Sequence, residues 1–315
     1  MSNTSLAVSN VGLVNGYRAF DSSILANQLS QQTLMLYKES WSKYVEFATG
    51  TGLDVTKHTT LQMWRDGMAA DVAKYSPNTI NRHLAAIKRV IKEAYSREYI
   101  GNEVYAAFKA VDGVSKKALK ANLKSNARTK ISVEQMRQLV NAPDTDTISG
   151  LMHHALLMTL ASTGLRISEA LAIKVTDIKK NGQGYIVANV MGKNKVEASD
   201  VAISANAVLA IREWLAARTI NSQWVFTGFS GGKSRIENTE AIHPVSAWEL
   251  VKRYSAKVGI DGIKPHDFRR FVGTQLAKNK GIQYAQKQLR HANPQTTIAN
   301  YVMEDLPEDL VEGLF

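Results

Sequence analysis

The chain has 315 residues, with 39 Lys+Arg against 28 Asp+Glu, a formal charge of +11 and no cysteine. Its length suits two domains or one large one, and 44% hydrophobic with 21% charged residues is globular composition rather than that of a disordered tail. The missing cysteines exclude a disulfide scaffold, a thiol nucleophile, iron–sulfur clusters and Cys-based zinc sites, while the basic excess points to a polyanionic partner, nucleic acid ahead of a membrane surface.

Residues 1–20 show no basic segment followed by an apolar one, so no export signal is expected and a cytoplasmic location is. Residues 1–19 read as a flexible N-terminus. Leu34, Tyr37, Trp41, Tyr44, Val45 and Ala48 recur at helical spacing up to Gly50 and Gly52. Leu61, Trp64, Met68 and Val72 predict a second helix. Ser76-Pro77-Asn78-Thr79 is a helix start, leading to Ile80, Leu84, Ile87, Ile91 and Ala94 on one face. The opposite face carries Asn81, Arg82, Lys88, Arg89 and Lys92. Residues 20–115 therefore read as a small all-helical domain with one basic side. A polar helix face is ordinarily only solvent contact, so this stripe is not by itself a DNA-binding signature.

Residues 1–130 hold +8 of the net charge. The densest run includes Lys116, Lys117, Lys120, Lys124, Arg128 and Lys130 with no acid, and 116–130 reads as a basic linker between domains. Beyond it, Ser132 and Gln135 form a capping-box pattern opening a helix through Val140. Helices are predicted at 149–161 and 166–173. A hairpin follows, with strands at 185–190 and 200–203 and a polar turn holding Lys193 and Lys195. Further helices are predicted at 206–217, 245–257, 265–279, 282–290 and 294–302, with a polar, Gly-rich loop over 228–242. The longest apolar stretch, 151–161, falls far short of the roughly 20 residues a bilayer span requires, so it reads as a buried helix. The expected fold class is mainly α with a small antiparallel β-sheet.

Three motif matches fail on their context. Gly228-Phe-Ser230-Gly-Gly232 fits G-x-S-x-G, but no helix pattern follows to make a nucleophile elbow. Gly232-Lys233-Ser234 ends like a P-loop, but Thr227 stands where its first Gly belongs. His153 and His154 are adjacent and point about 100° apart on a helix, unlike an i, i+4 metal pair.

Four stretches carry the chemistry. They are Thr-Gly-Leu-Arg166-Ile-Ser-Glu169, the hairpin turn at Lys193 and Lys195, Pro-His266-Asp-Phe-Arg269-Arg, and Gln288-Leu-Arg-His291 followed ten residues later by Tyr301. Two arginines, a lysine, two histidines and a tyrosine, with no carboxylate cluster for a metal, suit a phosphodiester. Guanidinium forks bind non-bridging oxygens and stay charged, a role that metal nucleases give to divalent cations. A phenol of pKa about 10 needs cations and a base before it attacks. The i, i+3 spacing puts His266 and Arg269 on one helix face, and Arg166 with Glu169 likewise. A lysine on the hairpin could protonate a leaving 5′-oxygen.

In these boxes residues 155–303 resemble the catalytic domain of the tyrosine recombinase (phage integrase) family, and the N-terminal half more loosely resembles its helical core-binding domain. The resemblance implies that Tyr301 is the nucleophile forming a 3′-phosphotyrosine, and that Arg166 and Arg269 clamp the scissile phosphate. It also implies that His266 is the acid/base, that His291 bonds a phosphate oxygen and that Glu169 supports Arg166. Lys193 or Lys195 is the proton donor. Asn81, Arg82, Lys88 and Arg89, with linker residues Lys116, Lys117, Lys120 and Lys124, are the expected DNA contacts. The implied enzyme is a site-specific recombinase of double-stranded DNA, working as a DNA-bound tetramer with no cofactor, metal or membrane. Two features depart from the family pattern. Arg290 stands where Gly is usual, either stiffening the backbone before His291 or adding a phosphate contact. The His291–Tyr301 gap is one residue longer than the commonest spacing, which leaves cis or trans delivery of Tyr301 open.

The catalytic domain is expected over 131–303. Residues 304–315 place Leu306, Leu310, Val311, Leu314 and Phe315 beside five acids, a tail that docks on its own domain or on a neighbouring subunit. The rival readings are a DNA-binding protein without strand exchange and a type IB topoisomerase or telomere resolvase.

Overall fold

A computed structural model describes residues 20–71, 73–115, 131–192, 197–230 and 236–291. The chain divides into two compact units, Met1–Asn126 and Ala127–Phe315, with the division inside the basic 116–130 stretch.

The first unit is built of α1 (Gln31–Thr51), α2 (His58–Ala70), α3 (Pro77–Ser96) and α4 (Asn102–Lys109), preceded by a 3-10 turn at Ser22–Leu25. Side-chain caps set the starts: the Ser30 hydroxyl accepts from Thr33 N–H and that of Ser76 from Thr79 N–H, each cap stabilising by about 1 kcal/mol. Gly52 ends α1 at φ 68°, a left-handed conformation that glycine adopts without steric cost. Trp41, Tyr44, Leu61, Trp64, Ile80, Leu84, Ile87, Ile91 and Phe108 form the core, so the sequence-read apolar faces are the buried ones.

The basic stripe of α3 is not uniformly free. Asn81 holds Val114 by both its N–H (2.8 Å) and its carbonyl (3.0 Å). Lys88 Nζ donates to the carbonyls of Lys109 and Val111, capping the C-terminal end of α4 where a cation is favoured. Arg89 donates to Gln28 Oε1 at 2.5 Å and pairs with Glu93 at 3.4 Å. Arg82 is exposed. For Asn81 and Lys88 the reason is that the chain after α3 folds back over that face and brings its own backbone to it.

The second unit runs α5 (Val133–Val140), α6 (Ile148–Thr163), α7 (Ile167–Leu171), β1 (Ile178–Asn181), β2 (Gly184–Met191), β3 (Ala198–Ile203), α8 (Ala205–Ala217), β4 (Thr227–Ser230), β5 (Ile236–Ala241), α9 (Pro244–Lys257), α10 (Pro265–Lys280) and α11 (Ile282–Leu289). Ser132 and Gln135 make the reciprocal capping box expected for α5. The apolar α6 is buried on most of its surface, at Met152, Ala155, Leu156, Leu157 and Leu160. No described helix is long and apolar enough to cross a membrane.

The hairpin is β2–β3, and β1 extends it to an antiparallel sheet of order β1-β2-β3. β2 shifts register between Val187 and Val190, and Asn189 sits there at φ 59°. A bulge of this kind bends a strand and re-aims its end. The polar loop expected over 228–242 is instead the β4–β5 pair, and this expectation is corrected. Its strands are short and polar, so alternation is hidden. Phe229 stacks edge-on with His153 and tilts against Trp214, while Glu237 accepts from Thr219 N–H and the Thr239 carbonyl from the Ser222 hydroxyl. Ser230 ends β4, and the rest of the G-x-S-x-G match lies outside the described residues. His153 is buried and bonded to the Tyr254 hydroxyl at 2.9 Å. The expected helix at 294–302, the flexible 1–19, the 116–130 linker and the 304–315 tail lie outside the described residues.

Candidate active site

Arg166 is the N-cap residue of α7, and Glu169 stands at its third helical position. The Glu169 carboxylate, 3% exposed, accepts the Arg166 N–H on Oε2 at 2.9 Å and Arg166 Nη1 on Oε1 at 2.8 Å. One buried acid thus fixes both the backbone and the guanidinium of Arg166. The Arg166 side chain remains 40% exposed, so it is tethered on one side and open to solvent on the other.

A second cation shares the same acid. Arg290, at the C-terminal cap of α11, donates Nη2 to Glu169 Oε2 at 2.5 Å and Nη1 to the Val190 carbonyl at 3.1 Å. Its side chain is buried, so it is not the outward phosphate contact considered from the sequence. Burial pushes its pKa down and Glu169 opposes that shift. Arg290 sits at φ 56°, a left-handed conformation that only glycine adopts without cost.

Arg269 lies deeper still, at 1% exposure. Its Nη1 donates to the Gly164 carbonyl at 2.9 Å and its Nη2 to the Leu289 carbonyl, tying the end of α6 to the end of α11. Gly164 is required here twice over. Its φ is 66°, and a Cβ would lie 2.8 Å from Leu289 Cδ2 and 3.1 Å from Val272 Cβ. His266 stands in the first turn of α10 on the surface, so the shared-face expectation for His266 and Arg269 resolves into two depths. Asp267 secures that turn: its carboxylate accepts from Lys264 N–H at 2.9 Å and from Arg270 at 3.0 Å.

His291 follows directly on Arg290. Its N–H donates to the Gln286 carbonyl and its own carbonyl accepts from Gln286 Nε2. Burial first, then the charges of Arg269, Arg166 and His266, push its pKa down to about 4. The His266 pKa is also lowered, by partial desolvation of the ring first and then by Arg270, Arg269 and Arg166. Each of these residues thus feels the others. The structure brings Arg166, Glu169, His266, Arg269 and His291 into one neighbourhood from stretches up to 125 positions apart in the chain.

Gln288 was quoted with His291 but given no role from sequence. Its amide donates to the carbonyls of Thr163 (3.1 Å) and Ala202 (2.8 Å), and its oxygen accepts the Ala202 N–H at 3.1 Å. It acts on β3 as a strand edge would. Nothing in a single sequence distinguishes such a glutamine from a surface one.

Lys193, Lys195, Tyr301 and the linker residues Lys116, Lys117, Lys120 and Lys124 lie outside the described residues. Among the described residues no group of three or more His, Cys, Asp and Glu could hold a metal ion. A cleft of about 620 Å³ bounded by His153, Phe229, His243 and Arg253 shares no lining residue with the arginine cluster.

Residues 129–306 match the model of the phage integrase family. The tyrosine recombinase XerA of Pyrococcus horikoshii is 26% identical over 260 residues, covering 80% of this chain and 86% of its own length. The tyrosine recombinase XerD of Neisseria meningitidis serogroup B is 27% identical over 298 residues, covering 91% of each. Among solved structures, the Tn1549 transposon integrase in complex with circular intermediate DNA aligns with a TM-score of 0.64 at 16% identity, over 93% of this chain and 98% of that one. The XerH recombinase bound to its difH substrate aligns with a TM-score of 0.62 at 16% identity, over 91% and 82%. These two share the fold. With more than half of its length within the family's model, the chain belongs to the phage integrase family, the tyrosine recombinases, enzymes that break and rejoin DNA.

Proposed function

We propose that this protein is a site-specific recombinase that cleaves double-stranded DNA through a covalent link to Tyr301. The observation that carries the reading is the arginine cluster: the guanidiniums of Arg166, Arg269 and Arg290 share a neighbourhood with the buried acid Glu169, which is already bonded to two of them, and with neutral His266 and His291. Such a site is short of negative charge, and a phosphodiester supplies it.

The steps follow from the residues. Arg166 presents its exposed side to a non-bridging oxygen while Glu169 holds it in place. Arg269, fixed by two backbone carbonyls, adds buried positive charge with no reorganisation when charge develops on the phosphate. His266, neutral at pH 7 because its pKa is lowered, can take the Tyr301 proton. The Tyr301 oxygen bonds to phosphorus, the bond from phosphorus to the 5′-oxygen breaks, and Lys193 or Lys195 protonates that oxygen. Rejoining reverses these transfers. The phosphotyrosine keeps the energy of the broken bond, so neither ATP nor a metal enters the scheme. His291 donates a hydrogen bond to the phosphate.

In this reading the helical domain (20–115) and the basic linker (116–130) grip the duplex by its phosphates. Arg82 and Lys92 are the stripe residues best disposed for contact, since both are exposed while Asn81, Lys88 and Arg89 already serve the fold. The active assembly is a tetramer on paired sites, working in the cytoplasm. The 304–315 tail docks either on its own domain or on the next subunit.

The test is a covalent complex. Duplexes selected from a random pool for binding are labelled, incubated with the protein and run under denaturing conditions. An adduct with wild type and none with Tyr301→Phe is expected. No adduct on any selected duplex would leave a DNA-binding protein instead, and supercoil relaxation without strand exchange would indicate a topoisomerase.

A further inference from the structure

Two consecutive contacts at the end of α11 hold the β2–β3 hairpin from both sides. Gln288 pairs with the N–H and carbonyl of Ala202 on β3. Two residues on, Arg290 takes the Val190 carbonyl on β2, one residue before the strand ends at Met191. The same Arg290 guanidinium bonds Glu169, the acid that fixes Arg166. The next residue is His291. Arg290 also stays in a left-handed conformation in which glycine would be less strained, so something other than the backbone favours arginine there.

We propose that Arg290, assisted by Gln288, is a positioning residue that locks strands β2 and β3 onto the Arg166–Glu169 pair beside His291. Arg290 does not touch the phosphate in this scheme. Lys193 and Lys195 fall between β2 and β3 in the sequence, so the hold on the two strands bears on the proton donor of the recombinase reading. The inference rests on the recombinase reading above for the lysine's role, and on the contacts alone for the clamp.

The test uses the full-length protein and two suicide duplexes of a selected site. One has an ordinary 5′-oxygen at the scissile phosphate, and the other a 5′-bridging sulfur. The sulfur leaves as a thiolate and needs no proton, because a thiol is far more acidic than an alcohol. With Arg290→Gly, adduct formation on the oxygen substrate should fall about 10- to 100-fold, the range of a displaced general acid. On the sulfur substrate it should stay within about 3-fold of wild type, and Arg290→Lys should recover part of the oxygen rate. Equal loss on both substrates, or no loss on either, would overturn the proposal.

Hydrogen exchange on the free protein separates this result from the functional reading. Arg290→Gly should speed exchange across the hairpin amides more than across the rest of the unit, under conditions where both proteins are folded. Unchanged exchange would sink the clamp whatever the DNA result. Raised exchange with no adduct from wild type would uphold the clamp and reject the recombinase reading.

Discussion

The two units treat their basic residues in opposite ways. In the helical unit, Lys88 and Asn81 turn inward to serve as caps and ties for the segment 109–114. In the catalytic unit, the buried arginines also bond backbone, but they do so around a residue that stays open: Glu169 and Arg290 brace Arg166, and Arg269 braces the ends of α6 and α11. The lesson concerns charge. A count of cations says that a polyanion binds; only the fate of each donor says where.

The sharpest break of this contrast sets Arg166 against Arg269. Arg166→Ala should reduce adduct formation about 10³-fold, as loss of one preorganised charge does, while denaturant unfolding shifts by less than about 1 kcal/mol because the side chain is 40% exposed. Arg269→Ala should lose activity and about 3 kcal/mol of stability together, since the Gly164 and Leu289 carbonyls are left unpaired around a cavity. If Arg269→Ala were inactive yet fully stable, its bracing role would be wrong.

Glu169→Ala comes next. It removes the partner of a buried guanidinium, which costs about 3 kcal/mol. The loss should shrink in an Arg290→Gly background, because the orphaned charge is then gone. A double-mutant cycle by urea unfolding reads this coupling.

In the helical unit the expected effects are smaller and divide the other way. Lys88→Ala should cost about 1 kcal/mol of stability by uncapping α4, with the salt dependence of DNA binding unaltered. Arg82→Ala should leave stability alone and lower the slope of log affinity against log salt by about one. The reverse pattern would restore the uniform basic face.

Much of this was legible beforehand, and the reasons are physical. The arginine boxes and the α3 start are local patterns set by spacing within ten residues, and the hairpin is one set within twenty. The β4–β5 pair was hidden because its strands are short and polar and lack alternation. β1 was missed because its sequence, Ile178-Lys-Lys-Asn181, is charged and only 4 residues long. Arg290 stood out as a departure, yet its direction depends on the bulge near Asn189 and on an acid 121 positions away. Gln288 gave no sign at all, since its work is done on backbone.

The smallest expected effect, in pH, separates the units again. His83 is buried in the helical unit, bonded to Ser40, and its pKa is lowered by burial first and then by Arg82 and Lys43. His291 in the catalytic unit is lowered to about 4. Both therefore bind fewer protons folded than unfolded. Their contribution to stability is complete above pH 6.5, the unfolded value, and is lost as the pH falls towards the folded pKa. Replacing His83 by Gln should flatten that loss whether or not DNA is present. His291 should behave differently, because a bound phosphate offsets Arg269 and Arg166 and raises its pKa again. DNA binding below pH 6.5 should then take up protons, measured by titration calorimetry in buffers of different ionisation enthalpy, and His291→Asn should reduce that uptake where His83→Gln does not. Equal uptake in all three proteins would remove His291 from contact with the phosphate.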